Sequence, residues 1–179
     1  MPKHLQNELE KLKKKLLSLS AIVEGTLEKS IRSFSERNEK LAIEVIEYDD
    51  TIDEIEVEVE EDCLKIMALH QPVAIDLRFL VAVLKINNDL ERIGDLSVNI
   101  AERSLYLCRE SSFTAPFDFG EMTTKTRSML KRALDSLIHQ NPELAHQVCA
   151  DDDEVDSINR QIYNLFYDEI RKTPHLVEP

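Results

Sequence analysis

Leu5, Leu9, Leu12, Leu16, Leu19, Val23, Leu27, Ser30 and Phe34 follow one another at intervals of three and four residues. Among regular structures only an α-helix gathers such positions onto one side, because its turn holds about 3.6 residues. The spacing predicts a single amphipathic helix over 3–36. A stripe that long has to be covered by other elements, since burial of the apolar face supplies most of a helix's stability. The chain is therefore expected to be a helical bundle.

The rest of the sequence agrees. "RNEK" (37–40) interrupts the first helix, with Asn38 as the expected N-cap of the next. Val45, Tyr48, Ile52, Ile55, Val59, Cys63 and Ile66 predict a second helix over 40–69. "HQP" (70–72) is the following turn, and Pro72 suits a first helical position, where its missing N–H costs nothing. A third helix is expected to about Glu110, a linker over 111–120, and two more helices over 121–140 and 143–172 separated by "QNP". "IEVEVE" (55–60) alternates briefly but lies inside the helical stripe, so no sheet is expected.

The chain also repeats itself. A shift of 103 residues lays 27–55 on 130–158 without a gap, and Leu27, Ser33, Asn38, Leu41, Ala42, Val45, Asp49, Asp50, Asp53 and Ile55 meet identical residues. The acidic cluster "DDTIDEI" returns as "DDEVDSI". The expected organisation is a three-helix unit over 1–112 and a second, two-helix unit over 113–179. By the same register a counterpart of the third helix would begin near residue 175. The second unit is thus expected to be incomplete.

Composition excludes several function classes. A net charge of −13 argues against nonspecific nucleic-acid binding. Lys11, Lys13, Lys14 and Lys15 form a local basic run that reads first as a solvated helix face. Cys63, Cys108 and Cys149 are odd in number and lack a C-x-x-C, which fits neither a disulfide framework nor a zinc ribbon. The N-terminus has no signal-peptide core and no apolar run approaches membrane-spanning length, so the expectation is a cytoplasmic protein that does not cross the membrane.

Chemistry concentrates on acids. On the third helix, Asn88, Glu91 and Asp95 share a face and continue the line of Leu77, Leu80, Val81 and Leu84. A second stripe runs through Phe79, Val83, Ile86, Leu90, Ile93 and Ile100, and Arg78, Lys85, Arg92 and Arg103 take a third side. Asp49, Asp53, Glu56 and Glu60 border the core stripe of the second helix, and Asp152, Asp153 and Asp156 repeat the pattern near the end of the chain. Such a cluster can be relieved by arginines, by water, or by a cation, for which carboxylates and an amide form an oxygen-rich donor set. The candidate metal ligands are Glu91, Asp95, Asn88, Asp49, Asp53, Glu56, Asp152 and Asp156. A ferritin-like di-iron oxidase would need two Glu-x-x-His motifs, and only Glu143 and His146 match one. No phosphate loop or nucleophile elbow is present, so an enzyme is not expected.

The stretch "HQPVAIDLRFLVAVLKINNDLERIGDLSVNIAER" (70–103) resembles the PhoU family of phosphate-uptake regulators. The resemblance implies an all-α fold of tandem three-helix bundles. It implies a non-catalytic regulator that acts with the ATPase of the phosphate ABC transporter and a sensor histidine kinase, repressing the phosphate-starvation response. It also implies iron or another cation (Zn, Mg or Mn) on Glu/Asp-x-x-x-Asp motifs. Here those are Glu91 with Asp95, Asp49 with Asp53, and Asp152 with Asp156. A homodimer is a further expectation. The alternative to the adaptor is a metal-binding or metal-storage protein in which the carboxylates are the purpose.

Overall fold

The computed structural model describes residues 3–109 and 117–172. Six α-helices account for nearly all of them: α1 (Lys3–Ser35), α2 (Glu39–Glu47), α3 (Asp49–His70), α4 (Ala74–Arg109), α5 (Gly120–Ile138) and α6 (Pro142–Lys172). No strand occurs among the described residues. The chain divides into two compact units, Met1–Cys108 and Arg109–Pro179.

In the first unit, α1 runs against α2 and α3 in opposite directions. Lys29 pairs with Glu44 near one end, while Lys15 reaches Asp62 (2.6 Å) and Glu58 (3.2 Å) toward the other. Helix α4 returns antiparallel to α2 and α3. Its Asn87 meets Glu56, its Gly94 lies against Ile52, and its Ala101 clusters with Ala42 and Val45. Helices α1 and α4 are parallel, as the Lys13 ammonium over the Phe79 ring (5.4 Å) and the Arg37 Nη1 bond to Leu107 O (3.2 Å) show. The α1 stripe fills the middle of this bundle: Leu12, Leu16, Leu19 and Val23 are at most 1% exposed. Opposite them lie Ile52, Val59 and Cys63 from α3, with Leu80, Val83 and Leu90 from α4. Burial pushes the Cys63 thiol up to about 12, so it packs as a small neutral hydrophobe.

The repeat holds down to single hydrogen bonds. Helix α1 ends with Arg37 at φ 49°, and α5 with Gln140 at φ 51°. Asn38 N–H then donates to Ser33 O (2.9 Å) and Asn141 N–H to Ser136 O (2.8 Å), the outer bond of a Schellman turn. Each asparagine also caps the following helix: Asn38 Oδ1 accepts from Leu41 N–H (3.2 Å) and Asn141 Oδ1 from Leu144 N–H (3.1 Å). Even the hydroxyl of Ser33, bonded to Ser30 O, has its twin in Ser136 and Ala133 O, both at 2.6 Å.

Three sequence expectations need correction. The helix expected over 40–69 is two helices that meet at Tyr48, whose N–H turns back to Val45 O (3.2 Å) in a tight i→i+3 bond. The break sets Asp49 and Asp50 in the first turn of α3, where the helix dipole favours negative charge. It does not recur in α6, which runs unbroken through the equivalent position. Helix α4 begins at Ala74 rather than Pro72. Gln71 and Ala74, both at positive φ, carry the chain around while Pro72 is buried beneath the turn. Finally, the two apolar stripes of α4, both expected to pack against neighbours, are not covered alike. Leu77 (40%) and Val81 (43%) are exposed, and the buried line is Leu80, Val83, Asn87, Leu90, Gly94, Ser97, Ala101 and Ser104. The residues expected to begin a further helix near 175, and most of the 111–120 linker, lie outside the described residues.

Candidate acidic site on the first unit

Helices α3 and α4 bring five of the eight candidate ligands into one electrostatic neighbourhood. Asp49, Asp53 and Glu56 come from the first two turns of α3, and Glu91 and Asp95 from the antiparallel stretch of α4. Glu91 is half-buried, and its carboxyl lies above the usual range. Burial is the main cause, followed by the charges of Asp95, Asp53, Glu56 and Asp49. Asp49 is raised for the same reasons, with Asp53, Asp95 and Asp50 as its neighbours. Glu56 is raised by burial and by Glu60 and Asp53, partly offset by the Asn87 amide. No ion pair relieves these five carboxylates among the described residues, and Arg92, next in sequence to Glu91, forms none with them. The buried Oδ1 of Asp49 has no hydrogen-bond partner.

Asn88 is exposed on α4 and makes no hydrogen bond to these carboxylates among the described residues. The amide bonded to one of them is Asn87, 1% exposed, whose Nδ2 donates to both Glu56 O and Glu56 Oε1 at 2.9 Å. It was legible in the sequence as a member of the Leu80, Val83, Leu90 line, at the one position where that line turns from apolar to amide. The Asn87 carbonyl oxygen is left buried without a partner.

In the second unit, Asp152 and Asp156 are exposed on α6, and Asp156 lies 3.6 Å from Arg160. The neighbouring Asp151 pairs with Arg132, and Glu154 with Lys125 (2.6 Å). Of the repeated acids, Asp152, Asp153 and Asp156 are all solvent-exposed, and Asp156 has a basic partner. Glu143 and His146, the Glu-x-x-His match, are both exposed near the start of α6. The basic run of α1 is mostly paired: Lys11 with Glu8 (2.8 Å), Lys13 with Glu10 (3.0 Å), and Lys15 as above.

The α3–α4 donor set, all oxygen and short of positive partners, has the chemistry of a hard-cation site. In this conformation no three carboxylate, histidine or cysteine side chains converge closely enough to hold an ion, among the described residues. A cation would have to draw the side chains of Glu91, Asp95, Asp53 and Asp49 together, and their exposed or half-exposed carboxylates leave room for that.

Fold and site together define an all-helical protein of tandem bundles with an acidic face on the first. The PhoU domain matches the chain twice, over residues 16–104 and 119–178, and the chain belongs to the PhoU family. It is 37% identical over 158 residues to the phosphate-specific transport system accessory protein PhoU homolog of Aquifex aeolicus, covering 88% of this chain and 72% of the relative. A Thermotoga maritima homolog of the same name is 35% identical over 170 residues, covering 94% of this chain and 73% of the relative. The crystal structure of PhoU from Pseudomonas aeruginosa superposes with a TM-score of 0.87 at 29% identity, covering 95% of this chain and 82% of that one. That of the phosphate transport system regulatory protein PhoU from Streptococcus pneumoniae gives 0.84 at 26% identity, over 97% and 80%. Among the described residues no helix is long and apolar enough to cross a membrane.

Proposed function

We propose that the protein regulates phosphate uptake as an adaptor between the ATPase of a phosphate ABC transporter and a phosphate-responsive sensor histidine kinase, repressing the starvation response when phosphate is plentiful. The observation that carries this is the double PhoU-domain match together with relatives named as accessory proteins of phosphate-specific transport. The reading needs no catalytic group, and it places the protein in the cytoplasm beside the transporter. Its test is a deletion of the gene in the parent organism, with a phosphate-starvation reporter and co-purification on the transporter ATPase. The reporter should rise in phosphate-rich medium and fall again on complementation. An unchanged reporter and no co-purification would remove the adaptor reading.

The acidic face has its own role in this proposal. Glu91 and Asp95, with Asp49, Asp53 and Glu56, would hold a cation such as iron, zinc, magnesium or manganese. The carboxylates raised by burial and by one another, and the orphaned oxygen of Asp49, support it. Elemental analysis of the untagged protein beside Glu91→Gln/Asp95→Asn tests it directly. Near-stoichiometric metal lost in the variant is the expected result. Metal-free protein after exposure to all four ions would mean a solvated acidic face.

A further inference from the structure

Among the described residues, the three most exposed of the large aliphatic side chains sit on one turn: Val73 (73%), Leu69 (68%) and Ile75 (58%). Leu69 belongs to the last turn of α3, Val73 to the connection and Ile75 to the first turn of α4. The connection is held in place. Pro72 is buried in it, Gln71 N–H donates to Met67 O (3.1 Å), and Asp76 N–H donates to Val73 O (3.3 Å). Gln71 and Ala74 both take positive φ, which costs a residue with a Cβ. Unsatisfied apolar surface gathered at one fixed point is a mark of an interaction site. The charge of the first unit also changes sign there. Helices α1 and α4 start at this end and α3 finishes at it, as the Lys13 contact with Phe79 and the Lys15 bond to Asp62 show. The Glu8 carboxyl, lowered first by its bond to Lys11, also feels Lys65 and His70. Residues 4–14 and 63–81 hold five bases (Lys11, Lys13, Lys14, Lys65 and Arg78) against three acids, whereas 15–62 and 82–108 hold eight bases against nineteen acids. Of the three acids, Glu8 and Glu10 are bridged to Lys11 and Lys13, and Asp76 is half-exposed. Lys14, Lys65 and Arg78 are exposed and make no ion pair among the described residues. Farther off, Asp62 and Glu58 share Lys15, and Glu61 is about 12 Å along α3 from Leu69. Glu91 and Asp53 lie about 24 Å along their helices from the turn, more than two Debye lengths at 0.1 M salt.

We propose that the α3–α4 turn inserts into the headgroup layer of an anionic lipid bilayer. A turn that carries three aliphatic side chains at the ends of two helices is convex. A fluid headgroup layer yields to such a wedge, whereas a protein partner would need a matching pocket. Lys14, Lys65 and Arg78 then stand near the lipid phosphates, and their stems can lie along the apolar boundary while the charges stay wet. The change of sign along the bundle sets the orientation. An anionic surface attracts the basic end and repels the acidic remainder, so the first unit stands on its tip. Neither three aliphatic side chains nor three unpaired bases anchor a protein alone, so binding is weak, reversible and dependent on both. The proposal needs only a bilayer and stands apart from the adaptor reading.

The chain has no tryptophan, so Val73→Trp places a single reporter on the turn of the full-length protein. With phosphatidylglycerol vesicles its emission should shift to the blue and be quenched by brominated acyl chains. Val57→Trp, in the middle of α3 and at a site 50% exposed, should do neither. The unsubstituted chain should sediment saturably with the same vesicles. Its affinity should fall about tenfold between roughly 50 and 500 mM salt, and about tenfold on phosphatidylcholine alone. Val73→Ser/Ile75→Ser should weaken binding about tenfold, and Lys14→Gln/Lys65→Gln/Arg78→Gln likewise. All five residues are exposed, so circular dichroism should report unchanged helix content, and Val73→Ser alone covers a pair that misfolds. No sedimentation, no shift at Val73→Trp, or an equal shift at Val57→Trp would overturn the proposal. So would salt-sensitive binding indifferent to the serine pair, which is adsorption by charge alone. A Val73→Trp shift produced by the transporter ATPase and not by vesicles would put a protein at the turn and overturn it too. The vesicles contain no protein, so this proposal and the adaptor reading can fail separately.

Discussion

Asn87 is the residue on which the α3–α4 contact turns. Its amide is 1% exposed and spends both donor hydrogens on Glu56, once at the backbone and once at the carboxylate. The orientation is forced, because the flipped amide would set oxygen against oxygen. The consequence is a buried carbonyl oxygen with no partner. Asn87→Asp keeps the shape and replaces the donor by a second carboxylate beside Glu56. An unpaired charge at so buried a site should cost about 3 kcal/mol or more at neutral pH, with much of the loss recovered once the new acid is protonated. Asn87→Leu removes the orphaned oxygen along with the donor and should stay within about 1 kcal/mol of the parent. Urea unfolding at pH 7 and pH 5 separates the two, and equal losses in both variants at both pH values would show that the amide acts only through its volume.

At the scale of elements, the helix junctions are where sequence and structure agree most closely. Asn38 and Asn141 each end one helix and start another, so each satisfies a carbonyl before the turn and an N–H after it. Asn38→Ala and Asn141→Ala should each cost about 1 kcal/mol. Gln140 sits at positive φ, where glycine has no Cβ penalty, and Gln140→Gly should stabilise the second unit by about 0.5 kcal/mol. Thermal melts of the single variants check both signs. These junctions were readable because their chemistry is local: an asparagine at a fixed offset from an apolar stripe, repeated 103 residues later. The acids of the site were readable for the same reason, since identical aspartates recur at the same offsets. Which stripe of α4 is covered was not. Leu77, Val81 and Leu84 form as good a stripe as Leu80, Val83 and Leu90, and periodicity alone does not say which one meets the core. What decides it is the second half of the helix. There the inner line becomes Gly94, Ser97, Ala101 and Ser104, residues small enough for close approach, and Gly94 leaves a Cβ only 3.1 Å from Ile52. The hydroxyls of Ser97 and Ser104 turn back to Ile93 O (2.7 Å) and Ile100 O (2.8 Å), so polar residues on that line need no water. The break at Tyr48 escaped for the opposite reason: its i→i+3 tightening leaves the apolar spacing almost intact.

For the molecule as a whole, the two units are unequal in what they bury. Among the described residues, the buried apolar side chains of the second unit are Leu134 and Ile162, whereas the first unit holds an apolar column from Leu5 to Ala101. Two positions equivalent by the repeat make the contrast plain: Ala42 and Val45 are sealed, but Ala145 and Val148 are half-exposed. Hydrogen exchange on this chain should therefore protect α1, α3 and α4 well beyond α5 and α6. Equal protection in both units would show that the second is stabilised by something other than its own core. Against that background, the acidic face makes the first unit's stability respond to pH in a definite direction. Asp49, Glu56 and Glu91 have carboxyls raised in the folded state, chiefly by burial. Such groups bind more protons folded than unfolded, so they cost the native state most above both pKa values, and the cost fades as pH falls through the folded pKa and then the unfolded one. The melting temperature of the first unit should rise as pH drops from neutrality toward the carboxylate range, before general acid unfolding begins. Glu91→Gln should raise the melting temperature at pH 7 and flatten this rise. A divalent cation that occupies the site should do the same to the parent and little to a Glu91→Gln/Asp95→Asn variant. If Glu91→Gln leaves the slope unchanged, the carboxylates are too well hydrated to be coupled, and the face behaves as ordinary solvent-exposed acid.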